Sequence, residues 1–369
     1  MLRHPGKTTP GASFSSTTTI PGIYGNECND DIPKTFKRIK SGYSESDFVT
    51  PFSAFGLLWT IISLRAVFLW FCSSEFRAAP INNVPDEPTP AELVRLHLFE
   101  AQCFLLGCVI IYYGFVTPRY ALERLGPSIT SRENIWLKAR LAIGAVFCVF
   151  TDSYLNAYEY IFAWNAYSFN FGSWGKYMPF GDERASSRYG IGLLWVIPVY
   201  MYFCCGSVIL SDKVSNYLRN RYPTVTTGQI LAVTWVSQFL LDYASQAVTM
   251  RTSNAYAFAK TFGALTLHAG DRYQYPLYNS FSVATLTTIL SFLTLRSGQE
   301  MGEWVSLAER GYSRWSPKLQ SHVRTFAIIG YCVVNTLICF TIPLILFGIS
   351  GDSYANIPSY MKPMPGFES

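Results

Sequence analysis

Two aspartates stand inside long apolar segments, where an ionised carboxylate is costly. Asp152 lies near the end of the segment 136–156, and Asp242 lies within the segment 228–250. A charge at the centre of a bilayer costs about 2.5–3.5 kcal/mol on insertion scales. A carboxyl group in such a low-dielectric site can hold a proton near neutral pH, and an acid catalyst needs such a proton. We therefore predict acid–base chemistry at Asp152 and Asp242; the simpler alternative is that both only hydrogen-bond neighbouring helices.

Each aspartate opens a block that is rich in amides, hydroxyls and aromatic rings. The first block runs from Asp152 to Pro179 and carries more asparagines than an interfacial aromatic belt requires. The second runs from Asp242 to Tyr278. We predict that both line one cavity, open on the non-cytoplasmic face. The candidate substrate-binding residues are Asn156, Tyr158, Glu159, Asn165, Tyr167, Asn170, Trp174, Gln246, Arg251, Tyr256, Tyr273 and Tyr275.

One histidine is a third catalytic candidate. His268 lies three residues before Asp271 and could shuttle a proton, although a lone loop histidine more often only forms a hydrogen bond. The four histidines and nine cysteines contain no CxxC pair and no spacing typical of a metal site. We predict neither a metal nor a cofactor.

The elements that hold these residues are apolar runs separated by short polar loops. Half of the 369 residues are hydrophobic and 14% are charged, against about 25% charged in ordinary soluble domains. This segregation predicts an all-α integral membrane protein, a bundle of about seven transmembrane helices. The predicted spans are 51–72, 97–116, 136–156, 189–210, 228–250, 280–295 and 325–349, with a further short helix, re-entrant or interfacial, near 254–267.

Loop charges predict the orientation of the bundle. Lysines and arginines are frequent before the first span and in alternate loops after it, which predicts a cytoplasmic N-terminus. Within the spans, Arg65 and Glu100 could form an ion pair between helices. The net charge of +5 is not gathered on one basic face, so we expect no nucleic-acid partner. The expected partners are the lipid bilayer and a hydrophobic small molecule.

Composition divides the chain into three parts. Residues 1–45 are rich in Thr, Ser, Gly and Pro and are predicted to form a flexible tail. Residues 46–350 form the predicted transmembrane helical domain, and residues 351–369 form a C-terminal tail. We expect a multi-pass protein, located in the endoplasmic reticulum if the source is eukaryotic.

The two polar blocks resemble the AveC-like spirocyclase family. The resemblance covers about residues 136–278 and departs from the family pattern at Gln246, where a glutamate is expected, and at 254–258, where a Gly-x-Tyr-x-Tyr step is expected. The matching residues are Asp152, Asn156, Trp164-Asn165-Ala166-Tyr167, Asn170-Phe171-Gly172-Ser173-Trp174, Pro179, Asp242, Arg251, Tyr256 and the run Tyr273–Tyr278.

The resemblance implies a membrane-bound, cofactor-independent cyclase of secondary metabolism. Such an enzyme forms a spiroketal, sometimes with dehydration, from a polyketide through an oxocarbenium ion. Asp152 and Asp242 would then supply acid and base, the asparagines would orient oxygens, and aromatic faces would stabilise the cation. Two alternatives remain open: a terpenoid or meroterpenoid cyclase or isomerase, and a non-enzymatic seven-helix receptor or transporter.

Overall fold

The structure, a computed structural model, describes residues 47–79, 86–120, 136–185, 189–295, 298–300 and 303–363. All of them belong to the unit Glu45–Ser369, and the tail predicted at 1–45 lies outside the described residues. The helices are α1 (Val49–Phe71), α2 (Pro90–Ile111), α3 (Leu137–Cys148), α4 (Leu193–Met201), α5 (Ser207–Arg221), α6 (Thr227–Ser253), α7 (Leu277–Leu295), α8 (Pro317–Thr336) and α9 (Ile342–Ile349). The strands are β1 (Phe162–Trp164), β2 (Tyr256–Phe258), β3 (Lys260–Thr261), β4 (Thr266–Leu267), β5 (Tyr275–Pro276), β6 (Gly298–Glu300), β7 (Glu303–Val305) and β8 (Ser353–Tyr354).

Four continuous helical segments are long and apolar enough to cross a membrane. They are Val49–Phe71, Pro90–Tyr120, Leu193–Arg221 and Pro317–Ile349. The chain is therefore a mostly helical membrane protein. The other predicted spans coincide with α3, α6 and α7. These helices carry more polar residues, and much of α3 and α7 is buried against other helices.

Short irregular turns interrupt the helices close to the bundle interior. Helix α3 tightens into a 3-10 turn at Val149–Tyr154, which carries Asp152. A π-helical turn at Tyr202–Gly206 joins α4 to α5, and another at Leu337–Thr341 joins α8 to α9. Such turns change which side chains face inward and are frequent at functional sites.

Helices α1 and α8 approach each other closely through two glycines. A Cβ atom on Gly56 would stand 2.0 Å from the carbonyl oxygen of Phe326, and one on Gly330 would stand 2.0 Å from that of Phe52. Only glycine leaves room for two backbones at this separation, as in the small-residue interfaces of membrane helices. This contact fixes the first span against the last.

Short strands and loops form a cap over one end of the helices. Strand β1 pairs with β2, β3 with β8, and β4 with β5, each pair antiparallel. The prediction of an all-α chain is therefore wrong in the cap. The short helix predicted near 254–267 is wrong for the same reason: Asn254 ends α6 in the left-handed conformation, at φ 55°, and β2 and β3 follow.

The C-terminal residues belong to this cap. Strand β8 pairs with β3, and Tyr360 and Met361 are buried against cap residues. Residues 353–361 of the predicted C-terminal tail, 351–369, thus pack against the cap. The hydroxyl of Tyr160 donates a hydrogen bond to the carbonyl oxygen of Met361 at 2.8 Å, which fixes the segment against the rest of the cap.

A buried ion cluster stands at the opposite end of the helices. Glu309, which is fully buried, accepts hydrogen bonds from Arg140 of α3 at 2.6 Å and from Arg324 of α8 at 2.9 Å. Its other oxygen accepts from the hydroxyl and backbone N–H of Ser306. Burial alone would raise the pKa of Glu309, but Arg324 and Arg140 outweigh it and hold that pKa below the usual value.

The predicted pair of Arg65 and Glu100 does not form. Glu100 instead accepts a hydrogen bond from the backbone N–H of Phe169 at 2.8 Å and contacts the ring nitrogen Nδ1 of His97 at 2.9 Å. Arg65 is exposed on α1. Glu100 therefore attaches a cap loop to α2 rather than joining two spans.

Candidate functional site

A cavity of about 320 Å³ lies inside the helices beneath the cap. It is bounded by α2, the 3-10 turn after α3, α4 and its π-helical turn, α6, α7 and strands β1 and β2. Its walls are mostly apolar. The lining residues are Phe99, Leu106, Asp152, Leu155, Phe162, Trp164, Trp195, Val196, Val199, Tyr200, Tyr202, Phe203, Leu241, Asp242, Ser245, Gln246, Thr249, Tyr256, Phe258, Asn279 and Phe340.

Asp152 reaches the cavity from the 3-10 turn that follows α3. It is buried, and the phenol of Tyr200 in α4 donates a hydrogen bond to its Oδ1. Among the described residues, Tyr200 is the hydrogen-bond partner of this carboxyl group. The second oxygen, Oδ2, is therefore available to a molecule in the cavity.

Asp242 reaches the same cavity from α6, and several neutral donors surround it. Its Oδ2 accepts from the hydroxyl of Ser280 at 2.8 Å, from that of Tyr275 at 3.1 Å and from the amide of Asn279 at 3.4 Å. Its Oδ1 accepts from the amide nitrogen of Gln246 at 3.3 Å. Hydrogen bonds donated to a carboxylate stabilise its ionised form.

Gln246 connects this carboxylate to the cap. Its amide oxygen accepts a hydrogen bond from the phenol of Tyr256 in β2, while its amide nitrogen donates to Asp242. The residue therefore fixes Tyr256 and Asp242 relative to each other. An ionised glutamate at position 246 would have no N–H group and would place a second acceptor beside Asp242. The hydrogen bond to Asp242 therefore depends on the amide of glutamine.

The pairing of β1 with β2 forms an aromatic wall. Phe162 stands opposite Phe258, and Trp164 stands opposite Tyr256, and all four line the cavity. Side chains alternate between the two faces of a strand. The alanines between them, Ala163 and Ala257, therefore lie on the other face, against the C-terminal residues.

Trp195 of α4 extends this wall. Its ring centroid lies 5.1 Å from that of Trp164 and 5.2 Å from that of Tyr256. The ring of Phe162 stacks on Tyr256 at 5.2 Å. Faces of aromatic rings carry negative potential, so a wall of this kind attracts a cation.

The three asparagines of the first block stabilise loops and do not line the cavity. The side chain of Asn156 bonds the backbone of Ile161 and Phe162. Asn165 donates to the carbonyl oxygen of Asn254 at 2.8 Å and accepts from a backbone N–H, and the amide of Asn170 bonds four backbone groups. These side chains, predicted as substrate ligands, bond the backbone of the cap and lie outside the cavity lining.

His268 lies away from the cavity, in the exposed turn between β4 and β5. Its backbone adopts a positive φ of 53°, and its carbonyl oxygen accepts the N–H of Asp271 at 3.0 Å. The structure therefore does not bring this catalytic candidate together with Asp152 and Asp242. Tyr158 and Arg251 are also exposed, and Tyr273 contacts the guanidinium of Arg272 at the surface, 5.4 Å from the ring centroid.

Three further candidates also have structural contacts outside the cavity. Glu159 pairs with Lys260 of β3, and Trp174 packs edge-on against Trp70, with 5.5 Å between ring centroids. Burial disfavours the Lys260 ammonium, but the hydrogen bond and charge of Glu159 hold its pKa above the usual value. Tyr167 lines a separate pocket beside α2.

The structure therefore brings together Asp152, Asp242, Gln246 and Tyr256 around one cavity, with Tyr275 behind Asp242. Sequence reasoning missed Tyr200, although a tyrosine within an apolar span is a usable signal. It also missed Asn279 and Ser280, which follow Tyr275 at the start of α7. Among the residues that the structure describes, no group of three or more His, Cys, Asp or Glu side chains is placed to hold a metal ion.

Comparison with known proteins gives one family. A family model described as "Spirocyclase AveC-like" matches residues 134–360, more than half of the chain. This range contains both aspartates, both strands of the aromatic wall and Phe340. No curated protein and no solved structure gives a significant match.

Proposed function

The chain belongs to the AveC-like spirocyclase family, and we propose that it is a membrane-bound cyclase that closes a hydrophobic hydroxyketone by acid–base catalysis. The family suggests a cyclase or dehydratase of secondary metabolism. The observation that carries the proposal is the meeting of two buried carboxyl groups, from segments ninety residues apart, on one aromatic-walled cavity. The family, more than the cavity itself, favours an enzyme over a receptor or transporter.

The hydrogen-bond partners divide the roles of the two carboxyl groups. Asp242 receives donors from four side chains, which favours the carboxylate and suits a base. Among the described residues, Asp152 has the single donor Tyr200, in apolar surroundings that favour the neutral acid. We assign Asp152 as the acid that protonates the leaving oxygen and Asp242 as the base that receives the proton of the attacking hydroxyl.

The proposed reaction converts a dihydroxyketone into a spiroketal and one water molecule. One hydroxyl adds to the ketone and gives a hemiketal. Asp152 protonates the hemiketal hydroxyl, and the C–O bond breaks. The departure of water gives an oxocarbenium ion. The second hydroxyl attacks the cationic carbon and gives its proton to Asp242. Transfer of this proton back to Asp152, through water, restores both groups. The faces of Trp164, Trp195 and Tyr256 would stabilise the cation.

We further propose that α3, α6 and α7 also cross the bilayer, which gives seven spans. With α4–α5 and α8–α9 each counted as one continuous segment, the seven segments alternate in direction, and the cap lies at the ends that a cytoplasmic N-terminus would direct to the non-cytoplasmic side. Insertion of glycosylation acceptor sites tests this topology in endoplasmic reticulum membranes. Modification in the cap, at Tyr158, with none at Arg221, agrees with it; the reverse pattern contradicts it.

The function is tested by supplying membranes that contain the protein with two compounds. One is a long-chain dihydroxyketone, and the other is a polyprenyl precursor of the same length. Mass spectrometry measures a product that has lost one water from the first compound or is isomeric with the second. Conversion of the dihydroxyketone by the wild type, and none by Asp152→Asn or Asp242→Asn, supports the proposal.

Other results of this conversion experiment would favour a different function or different catalytic residues. Conversion of the polyprenyl compound alone would favour the terpenoid cyclase, because the aromatic wall also suits a carbocation. Full conversion by both variants would remove the acid–base roles from the two aspartates. Tyr331→Phe is a matched control: its hydroxyl donates to the carbonyl oxygen of Ile289 and lies outside the cavity lining.

A further inference from the structure

Within the described part of the chain, the exposed side chains of the cavity lining lie close together. Of its lining residues, those classed as exposed are Leu106 of α2, with 39% of its surface accessible, and Leu241 and Ser245 of α6, Leu241 with 44%. The lining residues of α3, α4, α7 and the strands are buried or half-buried. The opening therefore lies between α2 and α6.

Among the described residues, the side chains that line the two ends of the cavity are buried. Toward the cap, Trp164, Tyr256 and Phe258 are buried, and they cover the cavity with the aromatic wall. Toward the opposite end, Phe203 and Phe340 are buried, with ring centroids 5.9 Å apart. A molecule that reaches the carboxyl groups along the axis of the bundle would have to displace one of these layers.

The surface around the opening is apolar. Leu105 and Val109 of α2 and Leu240 and Val248 of α6 are all exposed beside it. Residues 101–116 contain no charged side chain, and in residues 228–250 the single charged residue is Asp242, which is buried. Helix α2 is long and apolar enough to span a membrane, so its exposed apolar face is in contact with lipid chains.

We propose that the gap between α2 and α6 is a lateral opening to the bilayer, and that Leu106 and Leu241 determine which substrates pass through it. The occupant is an uncharged, lipophilic molecule dissolved in the membrane, because no charged group at the opening compensates the desolvation of an ion. This inference rests on the proposed function for its reaction, but the access route is independent of the chemistry.

Photolabelling tests the opening without measuring turnover. The probe is a long-chain hydroxyketone that carries a diazirine, incorporated into nanodiscs that contain the protein. A second probe has the same chain and a terminal sulfonate group, an anion that neither the aromatic wall nor the carboxyl groups attract. Mass spectrometry after brief illumination measures label on the peptides that contain Trp195 and Tyr256. We expect cavity labelling by the uncharged probe and little by the charged one.

Tryptophan substitution then narrows the opening. Leu241→Trp and Leu106→Trp should each slow cavity labelling by about tenfold, within the range over which association rates vary among variants of one binding surface. Leu240→Trp is the matched control, because Leu240 is adjacent, 57% exposed and outside the lining. Two independent variants on different helices protect the test against misfolding of one of them.

Three results would overturn the lateral opening: equal labelling rates in the three tryptophan variants, cavity labelling by the charged probe as fast as by the uncharged one, or no cavity labelling in the wild type. Asp152→Asn separates this inference from the proposed function. Loss of labelling in Leu241→Trp would support the lateral opening. Full turnover in both Asp152→Asn and Asp242→Asn, in the same set of experiments, would contradict the acid–base mechanism without affecting that support.

Discussion

Buried carboxyl groups occur at both ends of this protein, in opposite surroundings. Glu309 contacts two guanidinium groups, from Arg140 and Arg324, and its second oxygen is bonded by Ser306. In the described part of the chain, the donors to Asp152 and Asp242 are neutral, and both residues line a cavity. The two guanidinium groups compensate the negative charge of Glu309. The carboxyl groups of Asp152 and Asp242 have no such compensation from their donors and can act on a molecule bound in the cavity.

The contrast separates structural carboxylates from chemical ones. A buried charge without an opposite charge lowers stability, so its retention beside a cavity indicates a function. A buried charge that two cations neutralise connects elements instead: Glu309 joins α3 and α8 to the loop that contains it. Neutralising substitutions should therefore have opposite effects at the two ends.

The largest expected effect is on activity at Asp152. Asp152→Asn keeps the size of the side chain but removes the proton donor, and we expect kcat to fall by about 10²–10⁴-fold. The melting temperature should stay unchanged or rise, because a desolvated acid is replaced by a neutral amide. Turnover of a dihydroxyketone and thermal unfolding in the same detergent measure both. A fall in melting temperature with activity intact would assign Asp152 a structural role.

The next largest effect is on stability at Glu309. Glu309→Gln removes a buried negative charge that Arg140 and Arg324 both contact, which should destabilise the protein by about 3–5 kcal/mol. Turnover per folded molecule should stay close to that of the wild type. Glu75→Gln is the control, because its bridge to Lys176 is partly exposed and should contribute at most about 1 kcal/mol. Equal destabilisation by both variants would contradict the contrast.

Asp152, Asp242 and Glu309 differ in how much of their role is visible in the sequence. Asp152 and Asp242 stand out because a carboxylate in an apolar run is costly, so the sequence alone identifies them. The asparagines of the first block looked like substrate ligands by type, but nothing local distinguishes an amide that bonds backbone from one that faces a cavity. Glu309 lies in a loop rich in charges, and only the packing of α3 and α8 identifies it as buried.

A smaller effect is expected at Tyr200, which positions Asp152. Tyr200→Phe removes the hydrogen bond to Oδ1 and leaves the ring, so kcat should fall by about tenfold, the factor that corresponds to a hydrogen bond of about 1.4 kcal/mol. The pH dependence of kcat should also move, because the phenol contacts the acid directly. Loss of stability without a change in the pH profile would indicate a role in packing alone.

The smallest effect is the acid dependence of stability that comes from Glu309. Its pKa is lower in the folded protein than its ordinary value of 4.5. The stabilisation is therefore fully present above pH 4.5 and is lost as the pH falls through the folded-state pKa. Melting temperatures measured from pH 6 downward should decline less in Glu309→Gln than in the wild type. Parallel curves would contradict the assignment.

The sequence by itself determined the membrane class, the positions of the long helices, the family and the two aspartates. Each of these follows from local properties: apolar length, the cost of a charge within an apolar run, and motif order along the chain. It did not determine which polar residues lie close together in the folded protein.

Tertiary structure decided that question, because the cavity is built by contacts between distant segments. The pairing of β1 with β2 turns Phe162 and Tyr256, ninety-four positions apart, onto one face. The hydrogen bonds from Tyr275 and Ser280 surround Asp242 only once α6 and α7 pack together. A side chain's chemistry is set by its neighbours in space, and a sequence gives only its neighbours along the chain.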